Sequence, residues 1–300
     1  VEYDVRVSSI PTVYGEKIVM RLTNKEKLTR DKRELGLSDD DMKRFDQMLA
    51  HPHGIILVTG PTGSGKSTTL YTALSELNRE TVNIVTVEDP VEANIDGVNQ
   101  IQVNPKADMT FASALRSILR QDPDIIMIGE IRDPETAEIA VQASITGHLV
   151  ASTLHTNSTS ASIARLLNMG IEPYLMADAL VGVVAQRLVR KLCRCKRGRE
   201  ATAQEKEELG VNQDEVLTIY EPAGCQLCSQ TGYFGRTAVY EMMPVTPELR
   251  WAITKMQPSS KVKEIAQREG MITLRGSAVR LVREGVTSLE EMKKIASEED

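Results

Sequence analysis

Eight residues, Gly60-Pro61-Thr62-Gly63-Ser64-Gly65-Lys66-Ser67, carry the spacing G-x-x-x-x-G-K-[ST] of a phosphate-binding loop. Glycines at this spacing let backbone N–H groups wrap phosphate oxygens. A helix that starts there sets its positive end against them. On this reading Lys66 reaches the β- and γ-phosphates of a nucleoside triphosphate, and the Ser67 hydroxyl serves a magnesium ion. Residues 60–67 and the following Thr68 are the expected nucleotide-binding set. A Gly-rich strand–helix turn that fits by chance is the plain alternative. The additional Gly63 and the apolar run Ile55-Ile56-Leu57-Val58 just before the loop argue against it.

Such a loop needs a carboxylate at the end of a second strand, and two stretches offer one. Ile125-Ile126-Met127-Ile128-Gly129 leads to Glu130, and Val85-Thr86-Val87 leads to Glu88-Asp89-Pro90. Carboxylates at the C-terminal ends of parallel strands face the crevice in which such sheets hold ligands. Glu130 is expected to orient or deprotonate the attacking water, directly or through magnesium. Glu88 is expected to assist in the shell of the water or metal. Either could instead cap the next helix, as Asp133 before Pro134 is placed to do. His148 and His155 flank the run Leu149–Leu154 and stand about 23 Å apart if it is extended, too far to share a metal. If the run is parallel to its neighbours, His155 lies at the nucleotide edge as a sensor of the γ-phosphate. His148 then sits at the far end or at a subunit boundary, and a structural role is the alternative for both.

All four cysteines, Cys193, Cys195, Cys225 and Cys228, fall in one segment. With no signal-peptide pattern at the start, such clustering points to a metal ahead of free thiols or a disulfide. Arg187, Arg190, Lys191, Arg194, Lys196, Arg197 and Arg199 crowd beside them. They read as a solvated face, or as a docking surface for an acidic patch on a membrane partner.

The elements that must position these residues follow from the apolar rhythm. Residues 1–23 alternate like two strands, Val5/Val7 and Ile18/Met20/Leu22. A lone hairpin is marginal in water, so they read as the tail of a preceding domain. Residues 24–53 form a charged linker, with Lys25, Glu26 and Lys27, and a first helix capped by Ser38. Residues 54–190 alternate short apolar strands (55–58, 82–87, 125–128, 149–154) with helices near 66–78, 111–121 and 134–145. That is the pattern of an α/β core with a mostly parallel sheet. Past Ser160 few strands are expected. Helices at 160–169 and 173–190 lead to a cysteine subdomain at 191–245 and a helical subdomain at 246–300.

A net charge of −6 speaks against general nucleic-acid binding and weighs against a helicase or recombinase. No apolar run approaches the ~18 residues a membrane span needs. Together with the lack of a signal-peptide pattern, this puts the expected site of action in the cytoplasm, or on the cytoplasmic face of a membrane.

In this order the motifs resemble the secretion ATPases of type II secretion and type IV pilus assembly, over nearly the whole chain. Residues 60–67 are similar to the family's Walker A box. Thr86-Val87-Glu88-Asp89-Pro90-Val91-Glu92 resembles its Asp box. Asp122-Pro123-Asp124 through Gly129-Glu130-Ile131-Arg132-Asp133 resembles its Walker B box. Thr146-Gly147-His148 through Leu154-His155-Thr156-Asn157 resembles its His box. The resemblance implies a RecA-like P-loop NTPase core, a partial N-terminal domain, and a hexameric motor that rocks its domains as ATP is hydrolysed with Mg²⁺. It also implies Arg6 and Arg21 as arginines that reach the phosphates when the cleft closes. The cysteines resemble the family's tetracysteine zinc subdomain, for which four thiolates suit tetrahedral Zn²⁺. Cys193 and Cys195 are separated by one residue where the family typically has two. That subdomain favours assembly and secretion members over pilus retraction motors. The implied partners are a homohexamer and the inner-membrane platform protein of the machine, contacted through the region before this chain. That makes the protein cytoplasmic and peripheral to the inner membrane. Two other readings stay open: a related nucleic-acid motor, and a regulatory ATP-binding module with little turnover.

Overall fold

A computed structural model of the chain describes residues 3–24 and 30–297. The linker residues Lys25, Glu26 and Lys27 lie outside them. β1 (Tyr3–Thr12) and β2 (Gly15–Asn24) form the antiparallel hairpin expected from their alternation. Gly15 has φ 115° at its tight turn, a conformation that favours glycine. One face of the ribbon carries Val5 opposite Leu22, Val7 opposite Met20 and Ser9 opposite Ile18, and its apolar side chains are exposed.

After a 3₁₀ turn over Lys32–Leu35, Ser38 caps α1 (Asp39–Leu49) by accepting from the Asp41 N–H. The core then runs β3 (Gly54–Thr59), α2 (Lys66–Leu77), β4 (Ile84–Glu88), β5 (Asn99–Gln102), α3 (Phe111–Ile118), β6 (Ile125–Ile128), α4 (Pro134–Ile145), β7 (Leu149–Leu154), α5 (Thr159–Asn168) and α6 (Pro173–Ala179). β8 (Leu180–Leu192), β9 (Arg197–Glu200), α7 (Ala203–Glu208), β10 (Thr218–Glu221) and β11 (Tyr233–Pro244) follow. The helices α8 (Pro247–Thr254), α9 (Ser259–Arg268), α10 (Leu274–Arg283) and α11 (Leu289–Ala296) close the described chain.

Seven strands make the central sheet in the order β11-β8-β3-β7-β6-β4-β5. All neighbours are parallel except the β11–β8 pair. The pleat divides the core in two. Ile55 and Leu57 of β3 join α3, α4, α5, α6, α8 and α9 on one face, whereas Ile56 and Val58 join α1 and α2 on the other. A third cluster, with Val189 and Val239 from the sheet, gathers α10, α11 and the β9–β10 ribbon.

Two expectations fail beyond Ser160. The helix expected over 173–190 is only α6, and it gives way at Leu180 to the longest strand of the fold; β11 is the next longest. The run Leu180-Val181-Gly182-Val183-Val184-Ala185 lies beside β3 and is buried on both faces. A strand covered on both sides is apolar throughout, so it carries no period-2 signature to separate it from a helix. Polar β5 at the sheet edge gave no signal either.

Candidate nucleotide site

β3 delivers the chain into the glycine loop, and α2 starts at Lys66 with Gly65 as its N-cap. Among the described residues no side chain caps that helix, so its first-turn N–H groups are left for a ligand. Gly60, Gly63 and Gly65 have φ of 150°, 80° and 92°. At Gly60 the obstacle is also steric: a Cβ would stand 2.4 Å from the Gln186 carbonyl and 2.6 Å from Ser64 Oγ. Lys66 Nζ donates to the carbonyls of Gly60 (2.7 Å) and Pro61 (3.1 Å), curled into the loop it is expected to vacate for phosphates. Burial holds the Lys66 ammonium below its ordinary pKa against the negative charges of Glu130 and Glu92, and Arg187 pushes the same way as burial. Ser64 Oγ is buried with no hydrogen-bond partner among the described residues. A cradle closed to any Cβ at Gly60, a folded-back lysine and an orphaned hydroxyl fit an anionic ligand. Ser67 and Thr68 lie in the first turn of α2.

Glu130 follows β6 with 13% of its side chain exposed. It pairs with Arg132 through one oxygen and stands 3.3 Å from His155 Nε2 through the other. Arg132 also approaches Asp89 (3.8 Å). The fold thus brings Lys66, Glu130 and His155 together from the ends of β3, β6 and β7. Glu88 is sealed within protein instead. Its carboxylate accepts from the Tyr71 hydroxyl, from Thr86 Oγ1 (2.6 Å) and from Gln100 Nε2 (3.0 Å). Burial, then the hydrogen bond to Glu88, raises the Tyr71 pKa. Glu92, four residues on in the same box, is the one of the two whose charge, after that of Glu130, acts on Lys66. His148 is at the opposite end of β7, where Nδ1 bonds the Ala143 carbonyl (2.9 Å).

Arg6 and Arg21 face each other across the β1–β2 register and are exposed. Beside the loop lies a cavity of about 270 Å³, with Ser64, Arg187, Arg236, Glu291 and Lys294 in its wall; neither hairpin arginine lines it.

Sequence reasoning missed Gln186 of β8. Its Nε2 donates to the Ser64 carbonyl (2.9 Å), and its Oε1 accepts from Thr69 Oγ1 (2.8 Å), pinning the loop to its own helix. No local pattern marks it, because its partners lie far away in sequence.

The cysteines leave the sheet between β8 and β11. Cys193–Cys225, Cys195–Cys228 and Cys225–Cys228 sulfurs are 3.8, 3.9 and 3.7 Å apart, and all four lie within 4.8 Å of one another. A tetrahedron with metal–sulfur bonds of about 2.3 Å has edges of about 3.8 Å. Burial would raise the Cys228 thiol. The N–H groups of Cys225 (3.1 Å) and Gly232 (3.2 Å) donate to its sulfur and bring its pKa to about 6, favouring the thiolate that a metal binds. Much of the neighbouring basic run is engaged internally. Arg187 reaches Asn157, Arg190 pairs with Glu291 and covers Tyr233, Lys196 covers Tyr220, and Arg199 pairs with Glu205 and Glu221. Lys191, Arg194 and Arg197 remain exposed.

The family described as "Type II/IV secretion system protein" matches residues 1–294. The chain belongs to that family. It is 50% identical over 296 residues to the type II secretion system ATPase E of Vibrio cholerae serotype O1, covering 98% of this chain and 59% of that protein. It is 50% identical over 295 residues to the type IV pilus assembly ATPase PilB of Myxococcus xanthus, covering 97% and 52%. The chain therefore spans little more than half the length of these relatives. The crystal structure of the pilus retraction motor PilT with bound ADP superposes with a TM-score of 0.70 at 27% identity, covering 97% of this chain and 77% of that one. The Legionella pneumophila ATPase DotB shares the fold, with a TM-score of 0.73 at 22% identity over 98% of this chain and 73% of that one. The tetracysteine cluster is part of this secretion-family chain, and no helix among its described residues is long and apolar enough to cross a membrane.

Proposed function

We propose that this secretion-family chain hydrolyses ATP with Mg²⁺ as part of a cytoplasmic hexameric motor, which drives pilus or pseudopilus assembly from the inner-membrane platform. The placement of Glu130 against both His155 and the field of Lys66 carries the reading. Residues 60–68 would hold the triphosphate, with Ser67 toward magnesium, and the bound nucleotide supplies the phosphoanhydride to be broken. Glu130 accepts the proton of the attacking water. Arg132 and His155 hold the two carboxylate oxygens in place for that transfer. Lys66 turns from the Gly60 and Pro61 carbonyls to the phosphates and offsets charge on the leaving side. Glu92 is the second carboxylate near the loop, and Glu88 orders β4 through its three hydrogen bonds. Arg6 and Arg21 arrive from the hairpin when the cleft closes. Cys193, Cys195, Cys225 and Cys228 hold one structural Zn²⁺ that fixes the segment between β8 and β11.

This reading keeps the division into 1–23, 24–53, 54–190, 191–245 and 246–300, with β8 and β11 carrying the central sheet across the boundary at 190. Glu130→Gln tests the assignment. Turnover should fall by at least about 100-fold while nucleotide affinity stays within about threefold, because only the proton acceptor is lost. Equal turnover in variant and parent would refute it.

A further inference from the structure

The segment that follows His155 is held at three successive places. Thr156 bonds Thr59, the last residue before the phosphate loop. Its N–H donates to Thr59 Oγ1 (2.9 Å), and the two hydroxyls are 2.6 Å apart. Asn157 accepts from Arg187 Nη2 of β8 through its carbonyl and its side-chain oxygen, both at 3.2 Å. Thr159 donates from its N–H (3.0 Å) and its hydroxyl (2.6 Å) to Oε1 of Glu241 on β11.

Glu241 is the unusual member. It is 1% exposed, and its other oxygen, Oε2, is buried with no hydrogen-bond partner among the described residues. A fold that needed only packing there would be better served by an apolar side chain, because a carboxylate without full compensation is costly to bury. A carboxylate does suit the first turn of α5, where the helix dipole favours negative charge. On the same strand, the Tyr240 carbonyl accepts from Ser277 Oγ of α10 (2.6 Å). β11 thereby connects the C-terminal helices to the His155 segment.

We propose that Glu241 is a positioning residue for the hydrolytic site: by fixing Thr159 it sets the segment that aims His155 at Glu130. It touches neither nucleotide nor water. The proposal rests on the reading of His155 as a working member of the site, and the experiment separates the two.

Steady-state ATPase measurements on the full chain would compare Glu241→Gln, Glu241→Ala and Thr159→Val with the parent and with His155→Ala. Glu241→Gln keeps an acceptor but not the charge, so kcat should fall about threefold. Glu241→Ala removes both bonds, and kcat should fall about tenfold or more, with KM for ATP within twofold in each case. Thr159→Val removes the hydroxyl alone and should fall between them. Ser277→Ala breaks a comparably buried bond on the same strand; it should lower the melting temperature without changing kcat. In the His155→Ala background, Glu241→Ala should add less than twofold, since the two act through one element. Full additivity there, or a Glu241→Ala enzyme with parental kcat, would overturn the inference. Should Glu241→Ala fail to fold, Thr159→Val probes the same bond from its other end, and parental kcat in that variant overturns the proposal. A His155→Ala enzyme with full activity would instead sink the reading of His155 and leave any Glu241 effect to another route.

Discussion

Gln186→Ala tests whether the phosphate loop is preorganised by the sheet beside it. Gln186 is 2% exposed and makes two bonds, to the Ser64 carbonyl at 2.9 Å and from Thr69 Oγ1 at 2.8 Å. Alanine removes both bonds and takes the partner away from the Ser64 carbonyl and the Thr69 hydroxyl, two residues that are 3% and 1% exposed. A buried neutral group stranded in this way costs about 1–3 kcal/mol, so the pair amounts to about 2–6 kcal/mol. At about 2–4 °C per kcal/mol for a large domain, a central value of about 4 kcal/mol lowers the melting temperature by about 8–16 °C. Nucleotide binding should suffer as well, since the loop must order before it can wrap phosphates. The stabilisation that magnesium–ADP gives the parent therefore shrinks in the variant at equal ligand concentration. Thermal melts with and without nucleotide measure both quantities. A melting temperature within about 2 °C of the parent, with an unchanged ligand shift, would refute the reasoning.

Four further outcomes can be measured on the same protein. Glu88→Gln should lower the melting temperature by breaking the network with Tyr71, Thr86 and Gln100, while Glu92→Gln should leave it nearly unchanged and lower kcat; melts paired with turnover decide, and the reverse pattern would exchange the two roles. Stripping metal with a chelator, or Cys228→Ser, should release close to one zinc per chain by elemental analysis and loosen the segment between β8 and β11 in limited proteolysis; purified protein with well under one zinc per chain contradicts the site. Burial opposes ionisation of Glu291, but hydrogen bonds from Arg190 and Lys294 hold its pKa down at about 2, against an ordinary 4.5. A depressed folded-state value stabilises above the unfolded one, so the melting-temperature gap between parent and Glu291→Gln should be full at neutral pH and close as pH falls from about 4.5 towards about 2; a gap independent of pH contradicts the ion pairing. Arg21→Ala should lower the ATPase rate far more than nucleotide affinity, and parental turnover would remove the hairpin from the mechanism.

The elements legible in the sequence were those with local cause. Strands Ile125–Ile128 and Leu149–Leu154 and helix Pro134–Ile145 fall where apolar runs, Asp133 and Pro134 put them. The glycine loop was readable because its chemistry needs residues at fixed spacing. β8 was not, because the same Val-rich run suits a buried helix until β3 is known to lie beside it. Gln186 and Glu241 were invisible for a related reason: each is a polar residue in an apolar strand whose meaning depends on a carbonyl or N–H brought close only by the sheet. Glu88 and Glu92 show the limit within a single motif. Sequence marks both carboxylates, and only the packing of Tyr71, Thr86 and Gln100 separates the sealed one from the one in the field of Lys66.

The register of the N-terminal hairpin sets Arg6 directly opposite Arg21. Cβ atoms so paired stand about 4.5–5.5 Å apart, and like charges on directly opposite residues disfavour the pairing. The hairpin is thus loaded electrostatically when no anion is near, and a triphosphate placed between the two guanidinium groups would relieve the repulsion as it gains their attraction. Such a pair acts as a charge-sensitive spring. Its stiffness falls with added salt, so the hairpin should be most stable at high ionic strength when empty and least salt-dependent when a polyanion is bound.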